Sequence, residues 1–473
     1  MRLTIHWSFA TVVLALVAWT AVVEQAAAEQ TTARATSQST GVIGLDAVHL
    51  DPEYWISRQQ QPDAAVLERE AIATQNARLH REDRSMRDIS ALSESLPQAQ
   101  VRAWIEKLSS RPTGTLYDDN ARQITTATID TWMDALALDA IPATQSTRYG
   151  LVVRRADLRT FPTRQSVYNR VGDTDIDRFQ ENAFFPGTAV AIVHESRDGA
   201  WWFVVGDLYA AWIEKQYVAV GDKAQVLGYA RKSPYLIVTG AKVRSTATPD
   251  EPRVSDLQLD MGIRLPWLSD WPGERVVNGQ AAYANYVVEL PVRNADGSLA
   301  IVPALLAHSA EVASDYLPLT RANVLRQSFK FLGERYGWGH RYGTRDCSGF
   351  VSEVYRSMGV ILPRNTRDQG VSPVLNRIAF DPADGRDRRE PVIGELQVGD
   401  LVYIPGHVMM VIGHDRGMPY VIHDTHGGQW RGADGKLVQG HLNGVVVTPL
   451  TPMQFNETQS YIDRITNIQR IRP

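Results

Sequence analysis

Apolar residues recur at intervals of three and four around Ala64–Ala77, Pro97–Leu108 and Ala127–Leu138, with few β-branched runs. That spacing predicts helices. At Arg148 the pattern shortens to brief apolar runs, Leu151–Val153, Ala189–His194, Trp201–Val205 and Ala211–Ile213, separated by turn residues such as Asp198-Gly199. Short strands punctuated in this way predict a small β-barrel. Tyr235–Val238, Arg275–Val277, Ala282–Leu290 and Leu299–Val302 repeat the style and predict a second barrel of similar size. Beyond Pro318 a helix is expected over Arg321–Arg335. A second apolar stripe, Phe350, Val351, Val354, Tyr355 and Met358, ends at Gly359 and predicts another helix. Three strand-like runs follow at Asp400–Ile404, His407–His414 and Pro419–Asp424. Helices first and an antiparallel sheet afterwards make an α+β domain. The stretch Asn376–Val392, crowded with Arg, Asp and Pro, reads as a solvated loop, a rim or lid to a site.

These changes of pattern divide the chain into a signal segment at 1–28, a leader and helical domain at 29–145, barrels at 146–217 and 218–315, and the α+β domain at 316–473. The first segment has Arg2, an apolar run from Phe9 to Val23 and the small residues Ala26-Ala27-Ala28, which reads as a secretory signal cleaved after Ala28. The run is short for a membrane span, and no cysteine follows it to carry a lipid anchor. A soluble, exported protein is expected, with the periplasm as its compartment. Residues 29–45, rich in Thr, Ser, Ala and Gln, read as a flexible leader. Composition is ordinary: 44% hydrophobic, 22% charged, net charge −4. That balance argues against nucleic-acid binding.

One cysteine, Cys347, occurs in 473 residues. It cannot form an internal disulfide, so an exported chain carries it as a free thiol. The Gly- and aromatic-rich run from Tyr336 to Gly343 leads into Asp346-Cys347-Ser348, where the helical stripe begins, so Cys347 sits at a helix N-terminus. Exposed N–H groups there favour an anion, and the thiolate is the reactive form. The alternative is a small buried hydrophobe.

A nucleophilic cysteine needs a base, and the base needs an orienting group. Of eleven histidines, His407 opens a strand directly after Pro405-Gly406, and His423 lies on the next strand. If these strands pair through the turn at Asp415-Arg416-Gly417, both imidazoles project on one face near the Cys347 helix. A strand-edge histidine is more often a satisfied surface or core residue, and His423, Asp424 and His426 could instead ligate a metal, although no helix spacing supports that. Tyr336, Trp338 and Tyr342 could simply pack the core.

The run Tyr336-Gly-Trp338-Gly, then Asp346-Cys347-Ser348-Gly349-Phe350-Val351, Leu362-Pro363-Arg364, Gly399-Asp400-Leu401, Gly406-His407-Val408 and Ile422-His423 resembles the NlpC/P60 family of cell-wall cysteine peptidases. The upstream part is similar to the family architecture of a helical N-terminal domain followed by two bacterial SH3-like barrels. The resemblance implies a papain-like fold, no cofactor and no metal. It implies hydrolysis of the bond between γ-D-glutamyl and a diamino acid, diaminopimelate, in peptidoglycan stem peptides by a monomer. Cys347 would be the nucleophile, His407 the general base and His423 the orienting residue. Tyr336, Trp338, Asp346, Ser348 and Thr366 would line the substrate pocket. The first barrel would close it around a free N-terminal L-alanine, with Tyr209 as the candidate wall and Glu181 as a second candidate. Met409-Met410 and the length of 376–392 depart from the family pattern. Asp346 beside Cys347 would raise the thiol pKa, so its expected role is to bind a substrate ammonium, with activation left to the helix end and His407. Helix-start N–H groups would also stabilise an oxyanion, at about 3 kcal/mol per donor. Two rival readings are a wall-binding protein with an unused site, and an amidase or acyltransferase using the same three residues.

Overall fold

The computed structural model describes residues 40–472. The expected signal segment, and the leader as far as residue 39, lie outside them. None of the described helices is long and apolar enough to cross a membrane.

The strand Trp201–Val205 is buried at every position, and alternation explains how. Trp201, Phe203 and Val205 join one core, while Trp202 and Val204 join another on the opposite face. This strand lies in a seven-stranded antiparallel sheet. The strands run in the order Val218–Gly221, Arg148–Val152, Ala189–Glu195, Trp201–Val205, Ala210–Glu214, Ala156–Arg159, Gln180–Phe184. One face is covered by the helices Gln98–Leu108 and Thr126–Ala135 through Val101, Ile105 and Trp132. The other N-terminal helices go elsewhere: Trp55, Ile56, Ile72 and Leu79 enter the core of the C-terminal domain. The helical segment therefore divides between two cores instead of enclosing one of its own, because each amphipathic stripe finds a larger apolar face beside it. Val42 and Leu45, in the expected leader, also pack against the C-terminal domain.

A second β module surrounds its own core of Leu236, Val238, Leu259, Leu265, Val288, Leu290 and Leu306. Its longest element is the hairpin Asn285–Arg293 with Leu299–Ala307.

The C-terminal domain is built on a six-stranded sheet in the order Asn376–Ala379, Asn467–Arg470, Leu401–Ile404, His407–Asp415, Met418–Thr425, Gly444–Pro449. Helix Cys347–Arg356 lays Phe350, Val351 and Val354 on one face, against Leu401, Tyr403, Val408, Met410 and Ile422. Val402, Ile404, Met409, Val411 and Val421 point the other way. Met409 and Met410 thus fill opposite cores, both fully buried, and neither shapes a pocket.

Two expectations need correction. The helix expected over Arg321–Arg335 ends at Phe329, and Gly333, at φ +83°, turns the chain so that Gly333 and Tyr336 donate backbone hydrogen bonds to Val445 and Asn443. The 376–392 stretch is neither loop nor lid. It supplies the edge strand Asn376–Ala379 and a helix at Arg386–Gly394, whose Ile393 packs on the sheet face away from the Cys347 helix. Its charge misled: Arg389 is buried, donating to the carbonyls of Asp381 and Asp384 at 3.0 Å each.

Candidate active site

The chain reaches the nucleophile through a tight loop. Gly339, His340, Tyr342 and Gly343 all have positive φ, at 57°, 67°, 62° and 69°. For the non-glycine residues that region costs roughly 1–3 kcal/mol each, so the surroundings must hold it. Asp346 then caps the helix: Oδ1 accepts from Gly349 N at 2.8 Å, and Oδ2 accepts from Gly339 N at 3.1 Å, tying helix start to loop. Arg364 Nη2 donates to the same Oδ2 at 2.8 Å, and the guanidinium holds the Asp346 carboxyl down at about 2 although burial alone would raise it. Arg364, the last residue of the Leu-Pro-Arg motif, also donates to Ser348 Oγ at 2.8 Å and Asn182 Oδ1 at 2.5 Å. Sequence reasoning quoted it only as part of a motif.

Cys347 is the first residue of the helix, a free thiol that is 5% exposed. Its Sγ lies 3.5 Å from Thr366 Oγ1 and faces the backbone of Val408, the residue after His407. Burial pushes the thiol up to about 11, with the Asp346 charge adding to it, against the hydrogen bonds from Thr366 and Val408. Burial and the Asp346 charge thus oppose the thiolate at this helix start.

The strands bearing the two histidines pair antiparallel, Met410 with Ile422 and Val411 with Val421, and turn at Asp415–Met418. His407 and His423 fall on one face, and His407 Nε2 is 2.7 Å from His423 Nδ1. His423 Nε2 is 3.0 Å from Thr448 Oγ1 on the next strand. A proton on each Nε2 satisfies both bonds and leaves His407 Nδ1 free to take a proton. Burial lowers His407 to about 4 and His423 well below its ordinary value, so both are neutral. Thr448 was not foreseen: it stands opposite Val421, two residues before His423, and its reach to that ring depends on the pairing of Met418–Thr425 with Gly444–Pro449.

The same residues answer to known proteins. Residues 333–446 match the model of the NlpC/P60 family, and residues 167–214 match an SH3 domain of the SH3b1 type. The NlpC/P60 match falls within the C-terminal domain. Over 89% of its length this chain shares its fold with a solved NlpC/P60 endopeptidase from Photobacterium damselae subsp. piscicida, with a TM-score of 0.70, 17% identity and 96% of that chain covered. Among curated relatives, the gamma-D-glutamyl-L-lysine dipeptidyl-peptidase of Bacillus cereus is 26% identical over 274 residues, 56% of this chain and 65% of that protein. Dipeptidyl-peptidase 6 of Lysinibacillus sphaericus is 31% identical over 94 residues, 20% of this chain and 30% of that protein. The matches thus span less than two thirds of either relative.

The SH3b module brings together both candidates for the expected pocket wall, Tyr209 and Glu181. Tyr209 donates a short hydrogen bond to Glu181, whose other oxygen accepts from Thr160 Oγ1 at 2.5 Å. Burial, then Glu181, drives the Tyr209 phenol strongly upward, and its electrostatic neighbours include Arg364 and Asp346. The two candidates for this wall therefore act as a pair. Tyr336 is buried, edge-on to His426 at 6.4 Å between ring centroids; Trp338 and Thr366 are half-buried. Ser348 is buried inside the Asp346–Arg364 network, where its hydroxyl donates to Asp346 at 3.2 Å.

Asp424, beside His423, is fully buried with neither carboxylate oxygen hydrogen-bonded; burial, then the charges of Asp346 and Glu334, hold it far above the usual range, as a neutral acid. His423 spends both nitrogens on His407 and Thr448, which leaves none for a metal. Among the described residues no cluster of three or more His, Cys, Asp or Glu could hold one. A cavity of about 350 Å³ lies behind the nucleophile helix, between Phe184, Phe185, Leu208, Ser352, Leu362 and Arg364.

Proposed function

We propose that the protein is an exported cysteine peptidase that hydrolyses the bond between γ-D-glutamyl and a diamino acid, diaminopimelate, in peptidoglycan stem peptides with a free N-terminal L-alanine. It acts as a periplasmic monomer without a cofactor. The observation that carries this reading is the line Thr448–His423–His407, whose next residue, Val408, bonds through its backbone to a lone thiol at a helix start. His407 takes the proton from Cys347 as sulfur attacks the γ-glutamyl carbonyl, and His423 holds the imidazole in the tautomer that can do so. The imidazolium then gives that proton to the departing amine, and water hydrolyses the thioester. N–H groups at the helix start stabilise the oxyanion. Glu181 with Tyr209, and Asp346 beyond them, supply the negative charge that an N-terminal ammonium requires. The second β module is read as a further SH3-like barrel. The substrate class is supported by the B. cereus relative, whose name specifies γ-D-glutamyl-L-lysine.

The test is mass spectrometry of products from L-alanyl-γ-D-glutamyl-diaminopimelate peptides, with free and acetylated N-termini. Release of the alanyl-glutamyl dipeptide from the free peptide, a loss of at least about a thousandfold in Cys347→Ala, and poor cleavage of the acetylated peptide are expected. Retained cleavage in folded Cys347→Ala overturns the reading; a different bond cut by the same cysteine points to the amidase class.

A further inference from the structure

Six of the seven residues from Gly339 to Arg345 are gripped by side chains from outside the C-terminal domain, Arg341 among them through Tyr168 and Asp177. Gln180 Nε2 donates to Gly339 O at 2.9 Å, and Arg155 Nη2 donates to His340 O and Thr344 O at 2.7 Å each. Both belong to the SH3b module. From the second module, Gln258 Nε2 donates to Gly343 O at 2.9 Å, and Asp260 pairs with Arg345 at 2.9 Å. Arg155 and Asp260 also approach each other to 3.4 Å, so the two modules are joined across the loop they hold. Asp260 and Arg345 are fully buried, and Arg345 also pairs with Glu334 and Glu353.

The positions of these grips matter because the gripped segment is the one with left-handed backbone at His340 and Tyr342. A loop in that conformation relaxes unless its neighbours over-determine it. Its last residues are Thr344 and Arg345, immediately before the Asp346 cap that seats Cys347. Fit is close as well: a Cβ on Gly339 would lie 2.8 Å from Gln180 O.

We infer that the second β module is part of the catalytic apparatus: Gln258 and Asp260 are positioning residues that, with Arg155 and Gln180 of the SH3b module, hold the loop that leads into the Asp346 cap and seats Cys347. This deepens the proposed function and rests on Cys347 being its nucleophile. All four side chains act on loop carbonyls or on Arg345, so their removal changes turnover more than substrate affinity.

The test compares Gln258→Ala and Asp260→Asn in the full chain, reading kcat and KM on the stem peptide and the rate of Cys347 alkylation by iodoacetamide from pH 6 to 10. The expected result is a fall in kcat of about fivefold for Gln258→Ala and about tenfold or more for Asp260→Asn with KM within about twofold, and an alkylation profile displaced in both. Where Asp260→Asn does not fold, Gln258→Ala decides, since it removes only a half-buried amide. An alkylation profile unchanged in the folded variants overturns the inference. If the unmodified chain cleaves no stem peptide yet the profile moves, the substrate reading fails and the positioning role stands.

Discussion

Burial pushes the Cys347 thiol up to about 11 and the His407 imidazole down to about 4, opposing the charged form of each. Proton transfer is then expected to accompany attack, and alkylation reports this. Iodoacetamide is expected to modify Cys347 slowly at pH 7 and progressively faster towards pH 10, as monitored by intact mass; fast, flat modification between pH 6 and 8 would reveal a preformed thiolate–imidazolium pair. Cys347, His407 and His423 were legible in the sequence because a lone cysteine and two strand-borne histidines fall in a family order. Thr448 and Arg364 were not, because their roles depend on partners 25 and 18 residues away along the chain that only strand pairing and helix docking select. Charge placement misled as well. Asp346 was legible as a charge that opposes the thiolate, but the sequence did not show that Arg364 already pairs with it.

At the scale of elements, the loop before the nucleophile has almost no freedom to change. A Cβ on Gly337 would sit 2.2 Å from Thr344 Oγ1 and 2.3 Å from the Arg341 carbonyl. The carbonyl is backbone and cannot rotate away, so Gly337→Ala should lower stability by about 1–3 kcal/mol and remove most stem-peptide turnover. Gly394→Ala, where a new Cβ meets nothing within 4 Å, is the control expected to leave both unchanged. Thermal melts and turnover assays check the pair, and an active, stable Gly337→Ala would show that the loop can be rebuilt. Sequence patterns served the strands here better than the helices. The three C-terminal strands appear where the apolar runs placed them, because both faces of that sheet are covered. The 376–392 helix was missed because its buried Arg389 neutralises itself on backbone carbonyls, a pairing that composition cannot display.

Across the whole molecule, stability should depend on acid through its buried histidines. His407 takes a proton at about 4 in the fold but near its ordinary 6.5 when unfolded; His423 and His340 are also lowered well below their ordinary value, all by burial first. Between those values the unfolded chain binds more protons, so stability is full above about pH 6.5 and is lost as pH falls towards 4. For His407 alone the 2.5-unit difference amounts to about 3 kcal/mol. Urea unfolding at pH 7, 6 and 5 should show the midpoint falling stepwise; a constant midpoint would mean that these rings are hydrated. Asp346, held at about 2, adds its own loss only below its ordinary 3.8. The start of the first sheet was readable from the change of pattern at Arg148, but the sharing of cores was not. Helices 98–108 and 126–135 match the apolar face of the first sheet, and nothing local marks that face as theirs.

The loop that both modules grip also has a place in time. Arg155, Gln180, Gln258 and Asp260 all precede residue 337, so during synthesis from the N-terminus both braces can fold before the segment they hold emerges. The hydrolytic centre is completed last, against walls already standing, and a chain stopped short of the C-terminal sheet presents the modules without His407 or His423. A nascent protein of this kind carries no armed nucleophile until the parts that restrict access to it are in place.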